Sequence, residues 1–230
     1  MTSSSLARNA LLHIAPAARP KRRAADLAFD LIETMIATLQ LEPGSPNGAA
    51  DLAERTGLGR TPVREALLRM TSSGLIVQQP RRGLLVSNID LADHLDVIQT
   101  RRVLESLMAA CSARRATARQ RQDIVLCAEK MVAAAASANL DDYMAADHAL
   151  DLVNHQASHN HSAVACVVPL IVQCRRFWYA YQHDGDITEG ARAHMALAQG
   201  IATGDASAAV AGAEQLLDYL EQFARRVIDR

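Results

Sequence analysis

Asp151 and His155 stand four residues apart, a spacing that sends both side chains to one helix face, where a carboxylate and an imidazole can share a divalent ion. His194, on a later helix, is the third donor and can close on the same ion from across a helical bundle. Oxygen with nitrogen donors suits Zn, Mn, Fe or Ni without choosing among them. His148 comes about one turn before Asp151 on nearly the same face and offers a further nitrogen. A second chemistry belongs to arginines. Arg60, Thr61 and Arg64 cluster at the start of a short amphipathic stretch, and a guanidinium held out there suits the major groove of duplex DNA. Arg81 and Arg82, followed by Gly83, mark a basic turn that can reach phosphates or a narrow minor groove.

The elements that must position these groups can be read from spacing. Val63, Ala66, Leu67 and Met70 recur at helical intervals and form one apolar stripe, with Arg60, Thr61 and Arg64 on its flank and back. Thr61-Pro62 is a helix start, and Gly59 is the alternative cap. Ahead of it, Lys21-Arg22-Arg23 precedes a helix that runs to about Leu41 with Leu27, Leu31, Met35 and Leu39 inward. Glu42-Pro43-Gly44 ends that helix. Asn47 caps a second short helix through Thr56, with Leu52 and Ala53 inward and Gly57 as its stop. Two short helices joined across a glycine-containing turn predict a helix-turn-helix. Leu75-Ile76-Val77 and Leu84-Leu85-Val86, either side of residues 78–83, predict a hairpin wing. Residues 21–87 are therefore expected to form a winged helix-turn-helix.

From Ile89 onward only helices are expected. Asp90 with Asp93 precedes a helix carrying Leu91, Leu95, Ile98, Val103, Leu104, Leu107 and Met108, and Thr117, Asn139, Ser162 and Asp205 are further caps. Pro169 should kink or split the helix that holds it. Six or seven helices over residues 88–230 predict an antiparallel all-α bundle whose interior can hold a ligand. The fold class is thus mainly α, a winged helix-turn-helix followed by a helical bundle.

Composition narrows the class. Half the chain is apolar with only 3% aromatic residues, which favours helices over sheets. The four cysteines form no Cys-x-x-Cys pair, so they read as small buried hydrophobes in a reducing cytoplasm. No apolar run is expected to span a membrane, and Pro16 breaks Leu11-Leu12-His13-Ile14 before it could serve as a signal-peptide core. Residues 1–20, rich in Ser, Ala and Pro, read as a flexible arm. Residues 1–87 hold eleven Lys and Arg against seven Asp and Glu, while residues 88–230 hold thirteen against eighteen, so only the first part should meet a polyanion.

Leu41-Glu-Pro-Gly44, Asp51-Leu-Ala-Glu54, Gly59-Arg-Thr-Pro-Val-Arg-Glu-Ala-Leu67, Ser73-Gly-Leu75 and Arg82-Gly83 together resemble the N-terminal domain of GntR-family bacterial transcription regulators. The resemblance implies that Arg60, Thr61, Arg64 and Gly83 lie at the DNA. Gly59 departs from it by standing where the family usually has Ser, and Ser45-Pro46-Asn47-Gly48 by replacing a more apolar segment. Arg101-Arg-Val-Leu-Glu105, Asp151-Leu-Val-Asn-His155 with Asn160, and His194 with Gly204-Asp205 resemble the FCD ligand-binding domain of the FadR-type GntR branch. That likeness implies an effector-facing Arg101, whose fork can bind a small carboxylate, and a metal between the helices. Arg175, Arg176, Trp178 and Tyr179 would line the same pocket. Leu216 falls where the family carries a further histidine ligand, so the metal site is incomplete by that standard. The expected protein is a cytoplasmic, homodimeric regulator, a repressor of a palindromic operator rather than an enzyme. The alternatives are a metal-dependent hydrolase tethered to DNA and a regulator whose effector is the metal.

Overall fold

The computed structural model describes residues 23–184 and 186–229. The proposed N-terminal arm, the signal-peptide test at Leu11–Pro16, and Lys21 and Arg22 lie outside them. The chain divides into two compact units, one of residues up to Asp90 with Arg175–Ala180, the other of Leu91–Cys174 with Tyr181–Arg230.

In the first unit, α1 (Ala24–Ala37), α2 (Ala49–Thr56) and α3 (Arg60–Ser72) precede the antiparallel strands β1 (Ile76–Gln79) and β2 (Gly83–Val86). α3 buries Val63, Ala66, Leu67 and Met70, the stripe expected from spacing. These residues meet α1, whose Phe29, Leu31, Ile32, Met35 and Ile36 are also buried. α1 stops at Ala37, four residues short of the expected Leu41. The Thr38 hydroxyl donates to the Thr34 carbonyl (2.7 Å), competing with helix propagation. Leu39 then takes φ 56° and the Leu41 amide returns to the Met35 carbonyl (3.0 Å). Leu39 is thus off the helix, whereas Leu41 is buried.

α2 ends on Gly57, whose left-handed backbone (φ 68°) a Cβ would disfavour, as the stop residue requires. Its N-cap is Gly48 rather than Asn47, because the Asn47 amide donates instead to the Ser45 carbonyl (3.0 Å). The wing pairs Ile76 with Val86 and Gln79 with Gly83. It has an unexpected third partner. Residues 44–47 run beside β2, with Gly44 N–H donating to Val86 O (2.8 Å), Val86 N–H to Ser45 O (3.1 Å) and Asn47 N–H to Leu84 O (2.9 Å). The departure from the family's apolar segment therefore sits in a backbone ladder, where side-chain polarity matters little.

The second unit holds α4 (His94–Arg115), α5 (Ala118–Ala136), α6 (Leu140–Ser158), most of α7 (His161–Ala180), α8 (Ile187–Thr203) and α9 (Ala206–Ile228). Thr117, Asn139 and Asp205 cap as expected, each accepting a backbone N–H of the first turn. Ser162 does not; Asn160 takes that role by accepting from Ala163 N–H (3.1 Å). Asp186, missed in the sequence, caps α8. α7 runs through Pro169 without splitting. It packs on α4 through Met108, Ala163, Val167 and Ile171. Its length and apolarity would allow it to cross a membrane, but half of the qualifying stretch is buried inside the fold, as in a core helix.

α8 and α9 come together at glycines. A Cβ on Gly200 would strike the backbone of Ala209, and one on Gly212 would strike the backbone of Leu197. At the other end a Cβ on Gly190 would lie 3.2 Å from the Tyr219 ring. These three approaches set one antiparallel register. α4 departs from expectation. Its buried stripe is Ile98, Arg101, Glu105, Met108 and Ser112, while Val103 (72% exposed) and Leu107 (47% exposed) face outward.

Candidate functional site

Gly59 is the N-cap of α3, in extended geometry and with no side-chain cap bond, which makes Thr61 an early helical residue rather than the cap. Four fully packed apolar residues fix the inner face, so Arg60, Thr61 and Arg64 are held outward and exposed. Arg60 and Arg64 make no ion pair among the described residues. Their neighbours do: Arg23 pairs with Glu65 (3.0 Å), and Arg69 with Asp26 (2.9 Å) while lying over the Phe29 ring (4.4 Å). α1 and α3 are thus clamped along one side, leaving the opposite guanidiniums uncommitted. In the wing tip Arg81, Arg82 and Gly83 are all exposed. Exposed cations stand at the start of one helix and on an adjacent hairpin, the arrangement a groove-reading surface calls for.

The charged interior of the second unit begins with Arg101. Its Nε donates to Glu105 Oε1 (2.7 Å), and both residues are only 5% exposed. This i,i+4 pair lies in the core rather than on a solvated face. Burial works against the Arg101 charge, but Glu105, Cys174 and Asp151 more than offset it and hold the pKa above its ordinary value.

His194 projects from α8 into the same interior. Its Nδ1 lies 2.8 Å from the Gly190 carbonyl, which can only accept, so Nδ1 donates. Its Nε2 lies 3.1 Å from Asp147 Oδ1. Burial disfavours the imidazolium, yet the Asp147 hydrogen bond and charge, the Gly190 carbonyl and the Asp151 charge raise the pKa. The carboxylate that His194 meets is therefore Asp147, which sequence reasoning passed over. The available signal was its place one turn before Asp151 on the same face. Asp151 acts at longer range, and His155 is half-buried a further turn along α6. Among the described residues, no three His, Cys, Asp or Glu side chains gather where a metal ion could sit.

Arg175 and Arg176 find partners within the first unit. Both belong to the first compact unit, where Arg175 forms a buried pair with Glu33 (3.2 Å). Arg176 donates to the carbonyls of Ser87 (2.7 Å) and Asn88 (3.0 Å), and burial lowers its pKa to about 10. Trp178 is also core.

With this geometry in hand, comparison with known proteins places both units. Residues 24–86 match the bacterial regulatory proteins of the gntR family, and residues 96–219 match the FCD domain. An HTH-type transcriptional regulator of Streptomyces ambofaciens is 36% identical over 74 residues, 32% of this chain and 31% of that protein. The HTH-type transcriptional repressor RspR of Escherichia coli is 31% identical over 87 residues, 38% of this chain and 36% of that protein. The chain thus aligns with only about a third of the length of these relatives. Among solved structures, E. coli McbR/YncC superposes with TM-score 0.69 at 17% identity, covering 90% of this chain and 98% of that one. A GntR regulator from Rhodococcus sp. RHA1 gives 0.62 at 14% identity over 89% and 97% of the two chains. These likenesses support the fold. An exposed helix-turn-helix with a basic wing, followed by the helical domain that fills more than half the sequence, makes this chain a GntR-family bacterial transcriptional regulator with an FCD domain.

Proposed function

We propose that this protein is a cytoplasmic repressor of the FadR-type branch that binds a palindromic operator as a homodimer and responds to a small organic acid held in its helical domain. The observation that carries the reading is the outward display of Arg60, Thr61 and Arg64 on a helix whose other face is fully packed. Arg64 contacts a base edge, Arg60 and Thr61 the flanking phosphates, and Arg81, Arg82 and Gly83 the backbone or minor groove beside them. The named repressor among the relatives supports the sign of regulation.

The homodimer is supported by α4. Val103 and Leu107 are exposed apolar residues on one stripe with Ala110 and Arg114. That stripe runs into a groove shared with Val210, Ala211 and Glu214 of α9, with Arg114 and Glu214 of opposite charge at its edges. A patch carrying both signs beside an apolar strip is self-complementary, as a two-fold interface requires.

For the effector, Arg101 is the binding residue, and an entering carboxylate takes the place of Glu105 on its fork. The response then comes from the different affinity of the acid for the DNA-competent and incompetent arrangements. Footprinting on operator fragments selected by the purified protein tests the reading, with two protected half-sites about one helical turn, ~10 base pairs, apart as the expected pattern. Arg101→Ala should keep operator binding and lose release by the acid found in a thermal-shift screen. A variant still released by that acid would exclude Arg101.

A further inference from the structure

The FCD resemblance brings with it a metal ion between the helices, and among the described residues no three donor side chains gather into such a site. Three sides can be traced. On α6, Asp147 and Asp151 share a face, and on α8 His194 reaches Asp147 at 3.1 Å. The remaining side belongs to α9, and the glycine contacts show which residue fills it. Gly190 lies against Tyr219, and Gly212 against Leu197. In that antiparallel register His194, four residues after Gly190, comes level with position 215 of α9, four residues before Tyr219. Gln215 is exposed there, so the buried α9 side chain at the level of His194 is its neighbour Leu216, which is 3% exposed. A leucine there has no lone pair to give, and its methyl groups take the volume that a ligand or a bound water would need.

A second observation points the same way. The buried Arg101 guanidinium lies close enough for its charge to interact with Asp151, so one of the carboxylates a metal would need already faces a fixed positive charge. A divalent ion arriving there would meet the like charge of that guanidinium, which Glu105 holds at 2.7 Å. We propose that the helical domain of this regulator carries no resident metal. The Arg101 guanidinium stands beside the carboxylates an ion would need, and Leu216 keeps the site closed.

The test is made on the full chain, expressed in medium supplemented with Zn, Mn, Fe and Ni and freed of any affinity tag. Elemental analysis by mass spectrometry should find metal far below one equivalent, and neither chelator nor added ions should move the melting temperature. Leu216→His places an imidazole at the level of His194, and this variant should take up Zn or Ni and melt several degrees higher with the ion than after chelation. Near-stoichiometric metal in the wild-type protein, lost in His194→Ala, would overturn the proposal. A folded Leu216→His protein indifferent to metal would overturn the part assigned to the leucine. If the imidazole prevents folding, the wild-type measurement alone decides.

Discussion

At the scale of single residues, the helical domain holds its charges against strong desolvation. His194 has an oxygen at each ring nitrogen, Gly190 O at 2.8 Å and Asp147 Oδ1 at 3.1 Å, and with Asp147 ionised only the doubly protonated ring satisfies both. Its folded pKa is raised above the ordinary 6.5. The group therefore contributes stability in full below the unfolded pKa and loses it as pH rises through the folded value. Asp147→Asn should remove most of this dependence. Melting temperatures measured from pH 6 upward should fall more steeply for wild type than for the variant, and parallel curves would show that the pair does not titrate in folding. The sequence disclosed half of this cluster. Asp151 and His194 were singled out by donor type, but Asp147 was not, because donor spacing along a helix does not reveal which of two carboxylates on one face the partner helix meets. Nor does charge type along a helix reveal that Arg175 has Glu33 of α1 as its buried partner.

At the scale of elements, the periodic stripes that bury only apolar residues were legible, and those that mix in charge were not. α3 carries Val63, Ala66, Leu67 and Met70 inward as spacing demanded. In α4 the inward stripe includes Arg101 and Glu105, so the apolar pattern pointed to the wrong side at Val103 and Leu107. Caps with a free oxygen at the right offset, Thr117, Asn139 and Asp205, were readable for the same local reason that Gly57 was. Contacts between helices were not. Nothing local marks Gly212 as the point where α9 meets the α8 backbone at Leu197. Gly212→Ala should therefore destabilise the domain by ~1–3 kcal/mol, the usual cost of overpacking, despite alanine's better helix propensity. Chemical denaturation measures it, and an unchanged or higher midpoint would mean that the two helices part easily.

At the scale of the whole molecule, charge and surface divide by role. The excess of cations in residues 1–87 accompanies the helix-turn-helix and wing, while residues 88–230 carry an acidic balance. That division was visible in the sequence. The surface proposed for a second copy was not, because outward-facing Val103 and Leu107 could be told from core residues only once the helix was seated. Val103→Asp with Leu107→Asp places like charges face to face across a two-fold. The double variant should sediment as a monomer and bind the operator far more weakly, with its helical content kept. A dimeric double variant would move the interface elsewhere.

The recognition helix itself is tested most directly by titrating operator DNA, obtained by selection, against wild type and Arg64→Ala at several salt concentrations. If Arg64 reads a base edge from the exposed start of α3, the variant loses ~1–3 kcal/mol on the operator and little on unrelated duplex, so that specificity relaxes. Equal affinity of the two proteins for the operator at every salt concentration would contradict the account.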